Sequence, residues 1–595
     1  MLTNTVHKAL GRKKYLAMAI PLLMAYQAQG IEFHTGGIEG SFDSHISMGS
    51  SWRVEDADAD LLTSDNANDG NLNYNKGDAF SQIFKGSHDL QVSYQNFGAF
   101  VRGKYWYDSA LENNQVNVGH SPTANLSTLP NNPAYGGAAG ATKYDQTGGK
   151  LDDAGFSDYA KFSGAVVLDA FIYGEFEMGD MPLDVRLGKQ VVSWGESTFI
   201  QGGINAINPV DVSAFRRPGA EIKEGLIPVN MAYANIGVSD NLSVEAFYQL
   251  EFQETVTPGC GTFFSNSDYV ADGCSIASVA DLPAAIGGGS AAVLRDADGV
   301  RKAKDDGQFG IAARYLLGDT ELGFYAMNIH NRLPIVSSVT GGAGLGGGGT
   351  YFVEYPEDLQ LAGISFATNL GSVAVSGEIS HKKDVPLQIN AKDQIAAALS
   401  YGTTPEANGG APAQLNAEVF ALTAGSGGNP AGVILDGYRS FDVTQVQVTG
   451  IKFVDQVAGA SRITLIGEAG YSFIHDFEED AEGAIKFGAN ADPTNDHGFT
   501  TESSYGYRAR VVAAYTDVFA GIDLTPTLSW KHDLEGYAPN PGRAFSQGDQ
   551  TIGLTVKADY INTYSAAISY VQYMEGDASK VSDRDFASIT VGMQF

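Results

Sequence analysis

Asp585-Phe-Ala-Ser-Ile-Thr-Val-Gly-Met-Gln-Phe595 is the stretch whose reading decides the fold. Ile589, Val591, Met593 and Phe595 are apolar, while Ser588, Thr590, Gly592 and Gln594 between them are polar or small. A period of two marks a β-strand with one apolar face and one wet face. The alternation is regular to the last residue, and the last residue is aromatic. A strand at the end of a soluble sandwich seldom combines those two features.

Such a strand is the pattern by which Gram-negative outer-membrane barrels resemble one another, because the barrel-assembly machinery reads it, here through Phe595. The opposite end agrees. Lys8, Arg12, Lys13 and Lys14 form a basic region, Tyr15 to Ala25 is a short apolar run, and Ala28-Gln29-Gly30 offers small residues for a signal peptidase. The apolar run is too short to cross a bilayer, which takes roughly 20 residues. Residues 1–30 therefore read as a Sec signal peptide, cut after Ala28 or Gly30, and residues 31–595 as one barrel domain. Only helices and closed barrels span membranes, and no later stretch is a candidate transmembrane helix.

Composition is consistent with this. The formal charge of −32 argues against a nucleic-acid partner, which would demand a basic patch. Seventy-two Gly, 28 Tyr and 31 Phe suit many strands, tight turns and interfacial aromatic girdles. Cys260 and Cys274 are the only cysteines, and in an exported chain the default for two is a disulfide.

Read for alternation, the chain gives about eighteen strands, with 14 to 18 as the expected range. They fall near 40–53, 88–95, 98–108, 162–178, 183–193, 229–238, 241–252, 308–317 and 321–330, then 360–369, 372–381, 442–453, 461–472, 505–516, 520–532, 549–560, 563–573 and 585–595. The gaps between them alternate between very short and long. That is the rhythm of an antiparallel transmembrane β-barrel with short periplasmic turns and long extracellular loops. An even count puts both ends in the periplasm.

Parity assigns the faces. Ile522, Leu524, Pro526, Leu528 and Trp530 point one way, toward lipid, and Asp523, Thr525, Thr527, Ser529 and Lys531 the other, into the lumen. Tyr505, Tyr507, Tyr560, Tyr564, Tyr570 and Tyr573 sit at strand ends, where an aromatic belt belongs. The same parity places Arg102, Lys104, Arg186, Arg462, Arg508, Arg510, Lys531 and Lys557 inside, with Asp184, Glu245, Glu251, Glu378, Glu468, Asp523 and Asp559. Basic and acidic groups are nearly balanced there, although the chain is strongly acidic. The excess negative charge therefore lies on the loops, where it would meet divalent cations shared with lipopolysaccharide. A comparatively basic lumen would favour organic anions, whereas opposite charges across it would form structural ion pairs.

Residues 194–228 stand apart. Trp194-Gly-Glu-Ser-Thr-Phe-Ile-Gln-Gly-Gly-Ile-Asn-Ala-Ile-Asn-Pro-Val-Asp-Val-Ser-Ala-Phe-Arg-Arg-Pro-Gly-Ala-Glu-Ile-Lys-Glu224 mixes apolar residues with charges, unlike the Gly341–Gly349 run. A surface loop holding Ile200, Ile204, Ile207, Val210, Val212 and Phe215 would leave apolar area in water. The segment is expected to fold inward as a constriction or plug, with a loop packed on its own rim as the alternative. Trp194, Glu196, Asn208, Asp211, Arg216, Arg217 and Glu221 are its candidate site residues, Arg216 and Arg217 being those most suited to touch a solute.

The same residues carry a resemblance. Arg186-Leu-Gly-Lys-Gln-Val-Val-Ser-Trp-Gly-Glu-Ser197, Gly202-Gly-Ile-Asn205, Asn208-Pro-Val-Asp211 and Arg217-Pro-Gly-Ala-Glu221 resemble the signature of the proteobacterial domain-of-unknown-function 1302 family. Phe42-Asp-Ser44, Tyr355-Pro-Glu-Asp-Leu-Gln360, Ser376-Gly-Glu-Ile-Ser380, Trp530-Lys-His-Asp533 and Asp583-Arg-Asp-Phe586 extend it over the chain. The resemblance implies an outer-membrane protein, often linked with a periplasmic partner protein and an efflux-type inner-membrane transporter in settings concerned with hydrophobic compounds. It brings no catalytic residues.

No Gly-x-Ser-x-Gly elbow, His-Glu-x-x-His pair or phosphate loop is present. A Ser–His pair using His532 or His381 is the only enzyme reading the sequence leaves. Asp56-Ala-Asp-Ala-Asp60 and Asn66-Ala-Asn-Asp-Gly70 lack the spacing of a calcium loop, so no metal and no cofactor are expected. The reading is a gated route for small hydrophobic or amphipathic, in one version anionic, molecules across the outer membrane. A diffusive porin and a plugged docking barrel are the alternatives, and homo-oligomerisation is open.

Overall fold

The computed structural model describes residues 30–62, 66–117, 149–282, 289–341, 349–399, 413–425, 431–478, 485–488, 497–574 and 576–595. Residues 1–29, on which the expected signal peptide falls, and most of the Gly341–Gly349 run lie outside them.

Eighteen antiparallel strands form the barrel wall. They are Ile38–Arg53, Ala79–Tyr94, Phe97–Asp108, Ser163–Met178, Met181–Gln190, Val229–Ser239, Leu242–Gln249, Phe309–Leu317 and Thr320–Ile329, followed by Leu359–Leu370, Val373–Gln388, Tyr438–Val457, Ala460–Ile474, Ser503–Phe519, Ile522–Glu535, Gln550–Tyr560, Tyr564–Met574 and Phe586–Gln594. Each pairs with the next. The wall closes where His45 pairs with Gln594 and Ser51 with Ser588. The alternating C-terminal segment is thus the closing strand, and Phe595 exchanges both backbone hydrogen bonds with Ser44, at 2.6 and 2.9 Å.

Turns of two or three residues, such as 95–96, 179–180 and 561–563, alternate with long connections at the other rim. Leu528, Leu554, Val556, Ile568, Ile589 and Val591 are exposed on the outer surface, as expected of a lipid-facing band, while Ser588 on the opposite parity is buried. Two local departures follow from position. Tyr573 is not part of an outer aromatic belt: its hydroxyl lies inside, against Arg216. Several strands also run on past the alternating stretch, as Ala79–Tyr94 and Val373–Gln388 do. Beyond the apolar band nothing forces one face to be greasy, so the pairing continues without the periodic signal.

Six further strands escape an alternation reading altogether. Ile31–Thr35 pairs with the start of the first wall strand, beside Phe595. Ile434–Leu435, Ile335–Val339, Thr350–Glu354, Gly289–Arg301 and Ile276–Leu282 form a separate five-stranded sheet, in that order, built from the long connections. A second loop assembly contains Tyr74, Phe80, Phe156, Phe162, Phe263 and Phe264 in one apolar core. Cys260 and Cys274 are disulfide-bonded within it, with Cα atoms 5.4 Å apart. Arg53 and Arg584, both fully buried, flank Asp583 and the Phe263 ring beneath this core. No helix among the described residues is long and apolar enough to cross a membrane.

Candidate functional site: an inner belt in the lumen

The connection from Gln190 to Val229 folds into the barrel in two arms. Arm one, residues 194–207, runs along one side of the inner wall. Trp194 is buried against Phe247 and Tyr325 and donates its indole N–H to Glu245 at 2.8 Å. Ile204 and Ile207 are fully buried in the same cluster, together with Met231 and Met327. Gly195 and Gly203 run so close to Glu378 that a Cβ at either would strike its carboxylate.

Two wall carboxylates hold this arm by its backbone. Glu378 accepts the amides of Glu196, Ser197 and Ile204 at 2.6, 3.1 and 2.8 Å. Glu468 accepts those of Thr198, Phe199 and Ile200 at 2.9, 2.5 and 2.8 Å. Gln447 and Thr449 brace the two acids from the intervening strand, at 2.7 and 3.2 Å. A carboxylate removed from water is tolerable only with such a complement of donors, and hydrogen bonds to a charged acceptor are the stronger kind.

Arm two, residues 209–225, turns the other way around the wall. Asp211 caps the short helix Val212–Arg216 by accepting from the Ala214 amide at 2.9 Å. Its second oxygen meets Lys104 at 3.2 Å, with both side chains buried. Lys85 contacts Glu224 at 2.5 Å and the Gly219 carbonyl at 2.7 Å. His45 lies 2.9 Å from Glu221, whose carboxyl is lowered to about 2 by that hydrogen bond and by Lys223. Asn208, between the arms, receives the Val192 amide and donates to the Ile227 carbonyl, pinning the entry of the segment to its exit.

Lys104 and Arg102 thus face inward, Arg102 forming ion pairs with Asp89 and Asp169 at 2.7 and 3.3 Å. Arg508 pairs with Asp533 at 2.7 Å. Arg217 is turned toward the wall, stacked 4.5 Å from the Trp106 ring and donating to the Tyr159 carbonyl at 2.8 Å; burial lowers its pKa. The two adjacent arginines are therefore not equivalent. Arg216 sits 4.3 Å from the Phe264 ring and donates to Tyr573 at 2.7 Å. Arg510 lies 4.8 Å from the Phe199 ring, and Arg186 rests on Phe171 and Tyr233 at 5.9 and 5.3 Å. Glu196 is half-buried, and desolvation raises its pKa. The belt unites Trp194, Glu196, Asn208, Asp211, Arg216, Arg217 and Glu221 with Lys104 and Arg510; Arg102, Arg186 and Arg508 belong to the wall. Lys85, His45, Trp106 and Phe199 carry no motif and are recognisable only from the contacts.

The family model described as Protein of unknown function (DUF1302) matches residues 12–595. The chain belongs to this family. No curated protein matches it. Among solved structures, Acinetobacter baumannii OccAB1 is similar at TM-score 0.38 and 10% identity, over 96% of this chain and 98% of that one. Pseudomonas aeruginosa OccK2 (OpdF), solved with glucuronate, gives 0.37 and 8%, over 93% and 97%. Pseudomonas aeruginosa OpdK with vanillate gives 0.36 and 8%, over 93% and 98%. At such scores the eighteen-strand closure of this family member rests on its own strand pairing and not on the likeness.

Proposed function

We propose that this chain is an outer-membrane channel for small hydrophobic or amphipathic molecules, with residues 194–228 as its gate. An eighteen-stranded wall is of the class wide enough to enclose an aqueous lumen. The observation that carries the reading is the anchoring of arm one. Six backbone amides converge on Glu378 and Glu468, two acids that would otherwise be stranded in the wall. The segment is therefore fitted to the lumen as a discrete element, held by polar contacts that can be exchanged for water. Export by residues 1–30 and strand recognition at Phe595 belong to the same proposal.

Replacing residues 196–224 with a short Gly-Ser linker tests it. The refolded variant should give larger, ohmic conductance steps in a planar bilayer than the parent barrel. Equal conductance from a verified folded variant would sink the gating assignment.

A further inference from the structure

Burial divides the lumen wall unevenly. Beneath arm one, Glu378, Ser380, Gln445, Gln447, Glu468 and Ser472 are all buried, and beneath arm two Ser47, Ser87, Lys85 and Lys104 are too. These are polar, inward-facing side chains, so it is the belt that covers them. On Ile522–Glu535 and Gln550–Tyr560 the inward residues Thr525, Thr527, Ser529 and Thr555 keep part of their surface, and Lys557 is exposed.

The ends of the two arms frame this window. Arm one reaches Ser503–Phe519, where Phe199 meets Arg510. Arm two reaches Tyr564–Met574, where Arg216 meets Tyr573. Two strands lie between, so the flanking strands are three spacings apart, about 14 Å. The register puts Arg510 level with Ser529, Gly553 and Val571, and Tyr573 two residues further along the same face. Gly553 contributes no side chain at this level, which keeps the window clear.

The chemistry of the frame is amphipathic. Among the described residues, Arg216 and Arg510 make no ion pair, in contrast to Arg102, Arg314 and Arg508, each of which has a carboxylate partner. On the belt, Phe215 and Ile222 are exposed although they are large and apolar, and Phe199 is half-buried. Guanidinium groups without a carboxylate partner, one of them against the half-buried Phe199, suit one kind of solute: a small anion with an apolar body. Guanidinium binds carboxylates in a planar, bidentate way, and stacking on an aromatic ring leaves its N–H edge free.

Resting on the channel reading above, we infer that the window between Arg216 and Arg510 is a selectivity site for small aromatic or aliphatic carboxylates. The carboxylate is handed between the two arginines, and the apolar body rests on Phe199.

Equilibrium binding of benzoate to the folded, detergent-solubilised barrel tests the site whether or not the channel is open. Benzoate should bind at least ten-fold more tightly than acetate, which lacks the apolar body, and than benzyl alcohol, which lacks the charge. The R216Q/R510Q double variant should lose ten-fold or more of that affinity. The R216K/R510K variant should retain part of it, and R462Q, which removes the arginine paired with Asp455 elsewhere on the wall, should lose none. Unchanged benzoate affinity in a folded R216Q/R510Q barrel, or equal binding of benzyl alcohol, would overturn the inference. The linker variant's conductance is read separately, so a selective site without a gate and a gate without a selective site give different results.

Discussion

Converting Glu378 and Glu468 to glutamine should undock arm one while leaving the wall intact. Each carboxylate now accepts three backbone amides. Glutamine offers one acceptor oxygen and turns an NH₂ toward the remaining donors. A hydrogen bond to a charged acceptor is worth about 1.5–3 kcal/mol and a neutral one about 1 kcal/mol. With three bonds weakened at each site, and non-additivity allowed for, the loss is about 3 kcal/mol per substitution. One substitution then raises the undocked fraction about 150-fold. Both together remove about 6 kcal/mol, slightly more than the roughly 5.5 kcal/mol that carries a two-state element from 1:99 to 99:1. E378Q or E468Q alone should therefore give brief openings in single-channel records, and E378Q/E468Q a predominantly open state. Both variants keep their strands, because neither side chain bonds to the ladder. A folded double variant with the parent's conductance and noise would refute the argument and mean that the apolar cluster around Trp194 holds the arm unaided.

Other perturbations probe separate parts of the molecule. K104M strands the fully buried Asp211 without its cation, a loss of about 3–5 kcal/mol, and should make the Arg216–Arg217 segment susceptible to trypsin; unchanged cleavage would place the stability of arm two elsewhere. P526T supplies an N–H where the ladder to Ser503–Phe519 skips from Thr527 to Leu524. It should stabilise the barrel by about 1 kcal/mol in denaturant titration, and a loss of stability would show that the gap is filled otherwise. C260S/C274S opens a short loop whose closure is worth about 3 kcal/mol. It should expose the outer loop core to protease without altering barrel melting. Glu221 is depressed below its ordinary value, so its contribution is present above about pH 4.5 and is lost as pH falls toward 2. Current noise should rise over that acid range, and E221Q should abolish the rise.

The wall was legible because lipid on one side and water on the other impose a period of two, and every one of the eighteen wall strands carries it. The belt was legible only as an anomaly: Ile200, Ile204 and Ile207 are too apolar for a loop in water, which says that the segment must be covered but not by what. Arg216 and Arg217, adjacent and chemically identical, could not be told apart until the turn after Ala214 aimed one at Tyr573 and the other at Trp106. The five-stranded sheet gave no signal, since four of its five strands run only two to seven residues.

By itself, then, the sequence determined the barrel, a strand number of about eighteen, its inward and outward faces and the existence of a segment that must be covered. Tertiary structure alone decided how that segment is held and where it leaves room. The reason is physical. Alternation is written in side chains a few residues apart, whereas Glu378 meets the amide of Glu196 across 182 positions of chain. A backbone N–H is the same at every residue, so a carboxylate's choice among them leaves no mark in the sequence and is made only when the barrel closes around the loop.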